Sequence, residues 1–243
     1  MSQRLLLIED DLSIARFVEM ALEDLPALEL RNVRSLAEAQ TALAAGGWHL
    51  VISDLMLPDG SAELLLREGL AQRDGAPPWV VFSAGLNAQR QTLLSGLGVK
   101  RVLHKPVALG ELLDTVEALL LPADAETAAP EASAASAPAA PMAADPVAQH
   151  FGGDRVLFEG FLAGCVERFA DDLAQGDAAC ARGDAPELRR VAHGLKAVLH
   201  LLGQPALSEL ARGIEDDAAA GGLDAAAWRQ LAEGLIGLGA RRG

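Results

Sequence analysis

The stretch Trp48-His49-Leu50-Val51-Ile52-Ser53-Asp54-Leu55-Met56-Leu57-Pro58-Asp59-Gly60 decides the fold. A nearly continuous apolar run ends on a carboxylate, and a Pro-Asp-Gly turn follows. A run of that kind suits a strand buried on both faces, which belongs to a parallel sheet covered by helices. Working outward, further strand patterns appear at residues 5–8, 28–33, 79–83 and 99–104. Helical periodicity separates them. Ile14, Phe17, Val18, Ala21 and Leu22 share one face, and Ser35 is placed to cap a helix over 36–45 that stops at Gly46-Gly47. Further helices are expected over 61–73, 88–95 and 109–121. Five strands alternating with helices predict a doubly wound parallel α/β sheet, whose site lies at the carboxyl ends of the strands.

The pattern dissolves between Pro122 and Pro146, where Ala, Pro, Ser and Glu carry no apolar period. The segment reads as a semi-flexible Ala/Pro-rich linker over 122–146, with a root-mean-square span of about 25–30 Å. The expected units are thus 1–121, a linker, and 147–243. In the last unit Val156, Phe158, Phe161, Leu162, Val166 and Phe169 mark one apolar face. Asp184 and Pro205 start two further helices, and a fourth runs over 225–238. An all-α helical bundle follows.

Composition narrows the function. The 243 residues carry a net charge of −14, which argues against nucleic acid as a partner. Two cysteines, Cys165 and Cys180, make neither a disulfide framework nor a metal site. No apolar run is long enough to span a bilayer, and the N-terminus enters a strand with no signal-peptide layout, so a cytoplasmic location is expected. Of three lysines, Lys100, Lys105 and Lys196, two stand beside the chemistry described next.

Four strand ends deliver polar side chains to one rim: Asp10 and Asp11, Asp54, Ser83 and Lys105. Hard carboxylate oxygens suit Mg²⁺, with Asp11, Asp54 and a nearby carbonyl as its ligands. Lys105 adds positive charge, Ser83 a donor and Asp54 a nucleophile, the parts that phosphoryl transfer needs. A second signature is Ala192-His193-Gly194-Leu195-Lys196. On a helical wheel, Leu188, Val191, Ala192, Leu195, Leu199 and Leu202 form the apolar stripe, and His193 falls about 140° from its centre. His193 is therefore expected to face solvent with Lys196 one turn along, while Gly194 leaves a partner loop room to approach. His49 reads as structural and His200 as inert. No glycine-rich ATP-binding motif is found in the sequence.

Residues 1–121 resemble the receiver domain of bacterial response regulators through Ile8-Glu9-Asp10-Asp11, Asp54-Leu55-Met56-Leu57-Pro58-Asp59-Gly60, Ser83-Ala84 and Lys105-Pro106. That resemblance implies a flavodoxin-like fold with strand order 2-1-3-4-5. It implies Mg²⁺ held by Asp11, Asp54 and the Met56 backbone carbonyl, with Asp10 helping through water. It also implies phosphorylation of Asp54, contacts from Ser83 and Lys105 to the phosphoryl group, and a cis Lys105–Pro106 bond. Two positions depart from the family: Ala62 replaces a usual glycine, and Val102 replaces a strand-five aromatic. Met56 and Gly85, two residues past Asp54 and Ser83, orient a hydrolytic water poorly, which predicts slow self-dephosphorylation.

Residues from about 146 to 243 resemble a histidine-containing phosphotransfer (Hpt) domain through Ala192-His193-Gly194-Leu195-Lys196-Ala197 and Gly203. Phosphorylation of His193 with Lys196 beside it is implied. Together the two resemblances imply a phosphoryl-carrier signalling protein rather than an ATP-dependent kinase. An upstream sensor or hybrid histidine kinase, a downstream receiver and receiver–Hpt docking within the chain are the expected partners. The alternative is an adaptor whose receiver gates partner binding without phosphorylation of His193.

Overall fold

A computed structural model of the chain describes residues 2–83, 88–120 and 145–240. The first unit runs β1 (Gln3–Ile8), α1 (Leu12–Leu22), β2 (Leu28–Val33), α2 (Leu36–Ala45), β3 (Leu50–Ser53), β4 (Met56–Leu57), β5 (Gly60–Ser61), α3 (Glu63–Arg67), β6 (Trp79–Ser83), α4 (Ala88–Gly96), β7 (Val99–His104) and α5 (Leu109–Leu120). The five long strands form one sheet in the order β2-β1-β3-β6-β7, every pairing parallel. β1 and β3 are central and wholly buried toward their ends, as their unbroken apolar runs require. The chain turns outward in both directions from this pair, which leaves a crevice at their carboxyl ends.

Local chemistry sets the boundaries. Ser35 accepts the Glu38 N–H and starts α2, and Gly46 and Gly47 end it at φ 69° and 77°. Trp48 stands outside β3: its indole donates to the Ala42 carbonyl, and Arg4 stacks on its ring. His49 has the structural place expected, accepting the Arg4 N–H on Nδ1. The helix expected over 61–73 is a correction. Gly60–Ser61 pairs with Met56–Leu57, α3 spans only Glu63–Arg67, and turns follow, with Gly69 at φ 76°. The Lys105–Pro106 bond is cis.

The second unit holds α6 (Pro146–His150), α7 (Arg155–Arg182), α8 (Ala185–Leu201), α9 (Pro205–Ala219) and α10 (Ala225–Gly237). Aspartates 145, 154, 184 and 224 each cap a helix start with a side-chain oxygen. α7 packs on α8 and α10, and α9 packs on the same two, closing a four-helix bundle. The Gly176 α-carbon lies against the Trp228 ring, so close that a Cβ would overlap it. The linker expected over 122–146 lies outside the described residues except Asp145 and Pro146, as do Ala84 and Gly85.

The two units share one apolar core. α1 packs against α7 and α8. Phe17 of α1 is 1% exposed and meets Phe151 and Phe161 edge-on, with ring centroids 5.6 and 5.7 Å apart. Met20 reaches Gly160, and Leu109 of α5 approaches Gly152. The face of α1 turned away from the sheet is thus covered by the bundle.

Candidate functional site

At the carboxyl ends of the strands the rim is tightly organised. Glu9 follows β1 and Asp54 follows β3, with the Asp54 N–H donating to the Ile8 carbonyl at 2.8 Å. Lys105 follows β7, its N–H bound to the Ser83 carbonyl at 3.0 Å. The Lys105 ammonium donates to Glu9 Oε2 at 2.5 Å and to Asp54 Oδ2 at 2.6 Å, and all three side chains are at most 3% exposed. The other Asp54 oxygen accepts the Met56 N–H at 3.0 Å. Ser83 is buried at the tip of β6.

Glu9, Asp10 and Asp54 each offer a carboxylate oxygen within 4.8 Å of the others. This is not the trio of acids read from the sequence. Asp11 is turned away: its Oδ1 accepts the N–H groups of Ser13 and Ile14 and caps α1. Glu9, unassigned from the sequence, stands in its place. Burial pushes the Glu9 and Asp10 carboxyls up, and the neighbouring Asp54 and Asp11 charges add to the effect while Lys105 opposes it. Burial alone would lower Lys105, but Asp54 and Glu9 outweigh it and raise its pKa. Several carboxylates around one ammonium leave a negative excess, and three hard oxygen donors at this spacing fit a divalent ion such as Mg²⁺.

Asp59, the acid of the Pro58-Asp59-Gly60 turn, serves another element. Its two oxygens accept the Leu36 and Ala37 N–H groups at 2.8 and 3.1 Å and cap α2 from outside.

On α8 and at its C-cap, Leu188, Val191, Ala192, Leu195, Leu199 and Leu202 are buried as the wheel predicts. His193 is not open to solvent as expected; its side chain is 17% exposed. Glu215 of α9 accounts for part of the cover. Its Oε1 lies 2.7 Å from His193 Nδ1 and its Oε2 accepts from Lys196 Nζ at 2.5 Å. Burial alone would raise the Glu215 pKa. The hydrogen bond and charge of His193, followed by those of Lys196, overcome that and bring it to about 2. An ionised carboxylate only accepts, so the ring carries a proton on Nδ1, and in the neutral imidazole that tautomer keeps the Nε2 lone pair. His200 lies elsewhere, edge-on to His150 at 5.0 Å between ring centroids.

The two clusters meet. A cavity of about 580 Å³ is lined by Glu9, Asp10 and Lys105 from the first unit and by His193, Gly194 and Lys196 from the second. Arg168, Arg189 and Arg190 line it too. Asp172 of α7 also borders it. Burial raises its pKa to about 6, with Arg168 opposing and Asp11 adding to the rise.

Comparison with known proteins finds two domains in the same order along the chain. Residues 5–117 match the family model for the response regulator receiver domain, and residues 160–240 match the Hpt domain model. The swarming motility regulation protein RssB of Serratia marcescens is 34% identical over 117 residues, covering 47% of this chain and 52% of RssB. The response regulator protein PilR of Pseudomonas aeruginosa is 32% identical over 120 residues, covering 49% of this chain and 26% of PilR. The chain therefore spans about half of one relative and a quarter of the other. The non-phosphorylated HemR receiver domain of Leptospira biflexa superposes with a TM-score of 0.45 at 25% identity, covering 54% of this chain and 99% of that domain.

Proposed function

We propose that this chain, a response-regulator receiver followed by an Hpt domain, is a bacterial two-component phosphorelay protein that passes a phosphoryl group between Asp54 and His193. The units are taken as 1–121 and 147–243. The observation that carries the reading is the shared cavity, lined by Glu9, Asp10 and Lys105 of the rim together with His193.

Glu9, Asp10 and Asp54, with the Met56 backbone carbonyl, are the groups that would hold Mg²⁺, which supplies positive charge to phosphoryl oxygens when bound. An Asp54 oxygen attacks the phosphorus of a donor; the donor's bond to phosphorus breaks and an acyl phosphate forms. Lys105, freed from Asp54 Oδ2, turns its ammonium to the phosphoryl oxygens, and the Ser83 hydroxyl donates to them. Next, Nε2 of His193 attacks that phosphorus. The acyl P–O bond breaks and the Asp54 carboxylate is regenerated. The Nδ1 proton stays on the ring, where ionised Glu215 offsets the positive charge that the imidazole gains, and Lys196 faces the phosphoryl group. An upstream histidine kinase supplies the group and a further receiver removes it.

The test is labelling of the full chain with acetyl phosphate and Mg²⁺, followed by assay for an acid-labile, base-stable phosphoryl group. The wild type and Asp54→Ala and His193→Ala variants are compared. The relay predicts His193 label in the wild type alone. A chain that labels Asp54 and never His193 is instead the phosphorylation-controlled adaptor.

A further inference from the structure

The face of α8 that presents His193 is not flat. Gly194, inside the helix, lies against Asp11 of the first unit: a Cβ built on Gly194 would stand 2.2 Å from Asp11 Oδ2 and 3.4 Å from its Cγ. No real contact is that short, so any other residue at 194 forces Asp11 to move. Asp11 is poorly placed to yield, because its other oxygen accepts the Ser13 and Ile14 N–H groups at 2.8 and 3.1 Å and starts α1. Moving the carboxylate breaks the cap; keeping it shifts α1 together with Phe17, which joins the two units. The first turn of α1 follows directly on Glu9 and Asp10, so that shift is felt where the rim faces the histidine.

We infer that Gly194 is the specificity-determining residue of the transfer: its bare α-carbon lets the receiver's α1 cap seat beside His193, so the fixed occupant of the histidine face is the chain's own receiver. This rests on the relay reading above. Glycine is a poor choice for the inside of a helix on propensity alone, and alanine is a better one. A Gly194→Ala helix therefore forms readily, and what it loses is the fit across the interface. Gly194 touches no reacting atom and acts as a positioning residue.

The experiment uses the full chain loaded with acetyl phosphate and Mg²⁺, with phospho-Asp54 and phospho-His193 read in the same sample. Gly194→Ala is expected to slow the appearance of phospho-His193 about a hundredfold, the scale of a misplacement near 1 Å. The second variant, Asp11→Ser/Gly194→Ala, keeps an N-cap with a shorter side chain and is expected to regain most of the rate. A Gly194→Ala rate equal to wild type overturns the inference, and so does a slow double variant. Small-angle scattering supplies a readout independent of chemistry. Gly194→Ala is expected to expand the chain and the double variant to restore the wild-type radius of gyration; three identical profiles overturn the fit. Absence of phospho-His193 in the wild type sinks the relay reading instead, and the scattering arm then decides the docking alone.

Discussion

His193 Nδ1 and Glu215 Oε1 lie 2.7 Å apart and tie α8 to α9. The same carboxylate holds Lys196 through its second oxygen, so one acid orients both groups of the phosphotransfer signature. Glu215→Gln keeps an acceptor but removes the charge. Phosphorylation of His193 is expected to slow by about tenfold to a hundredfold, the range found when the partner that orients a metal-bound histidine is lost, with Asp54 loading as the internal reference.

The same pair makes an acid-stability prediction. The Glu215 pKa is lowered from 4.5 to about 2 in the folded chain, so its contribution is complete above 4.5 and disappears as pH falls toward 2. With discount for partial solvent access, wild type is expected to exceed Glu215→Gln by about 1–2 kcal/mol at neutral pH. Urea titrations at a series of pH values should show the gap closing below pH 4.5.

The sign reverses for Asp172. Its pKa is raised from 3.8 to about 6 by burial and by Asp11 across the interface. Stability from this group is full below 3.8 and is lost as pH rises through 6. Asp172→Asn should flatten the wild-type slope in that window, seen as a smaller change of melting temperature between about pH 4 and pH 6.5.

At the rim, Glu9→Gln and Asp10→Asn are each expected to weaken Mg²⁺-dependent loading of Asp54 by at least about tenfold. Asp11→Ser should weaken it far less, because Asp11 caps α1. A chelator should abolish loading in the wild type. Mg²⁺ titrations of acetyl phosphate labelling read all four.

Phe17→Ala removes the ring that joins the two units. A loss of about 3–5 kcal/mol is expected for a buried phenylalanine. Calorimetry should show one cooperative transition in the wild type and two in the variant.

The strands and the residues at their ends, Asp54, Ser83 and Lys105, were legible because each closes an apolar run, whereas the strand order came from the resemblance to receiver domains. The three acids after β1 were harder. Glu9, Asp10 and Asp11 are consecutive, and which of them face the rim depends on where the α1 cap falls; Asp11 is consumed by two backbone N–H groups. Glu215 was invisible as a partner, since its bond to His193 crosses between helices and follows no spacing within one. The cover over His193 was missed for a related reason. The wheel gives a residue's direction on its own helix, not what another unit lays across it. Phe17 reads as core of its own sheet and gives no sign in sequence that it also meets Phe151 and Phe161.

Exchange of the phosphoryl group within one chain is tested by the rate of phospho-His193 formation against protein concentration, after a brief acetyl phosphate pulse. A first-order rate unchanged over a hundredfold dilution is expected, with no product from Asp54→Ala. A rate that rises in proportion to concentration, or label on His193 without Asp54, would contradict it.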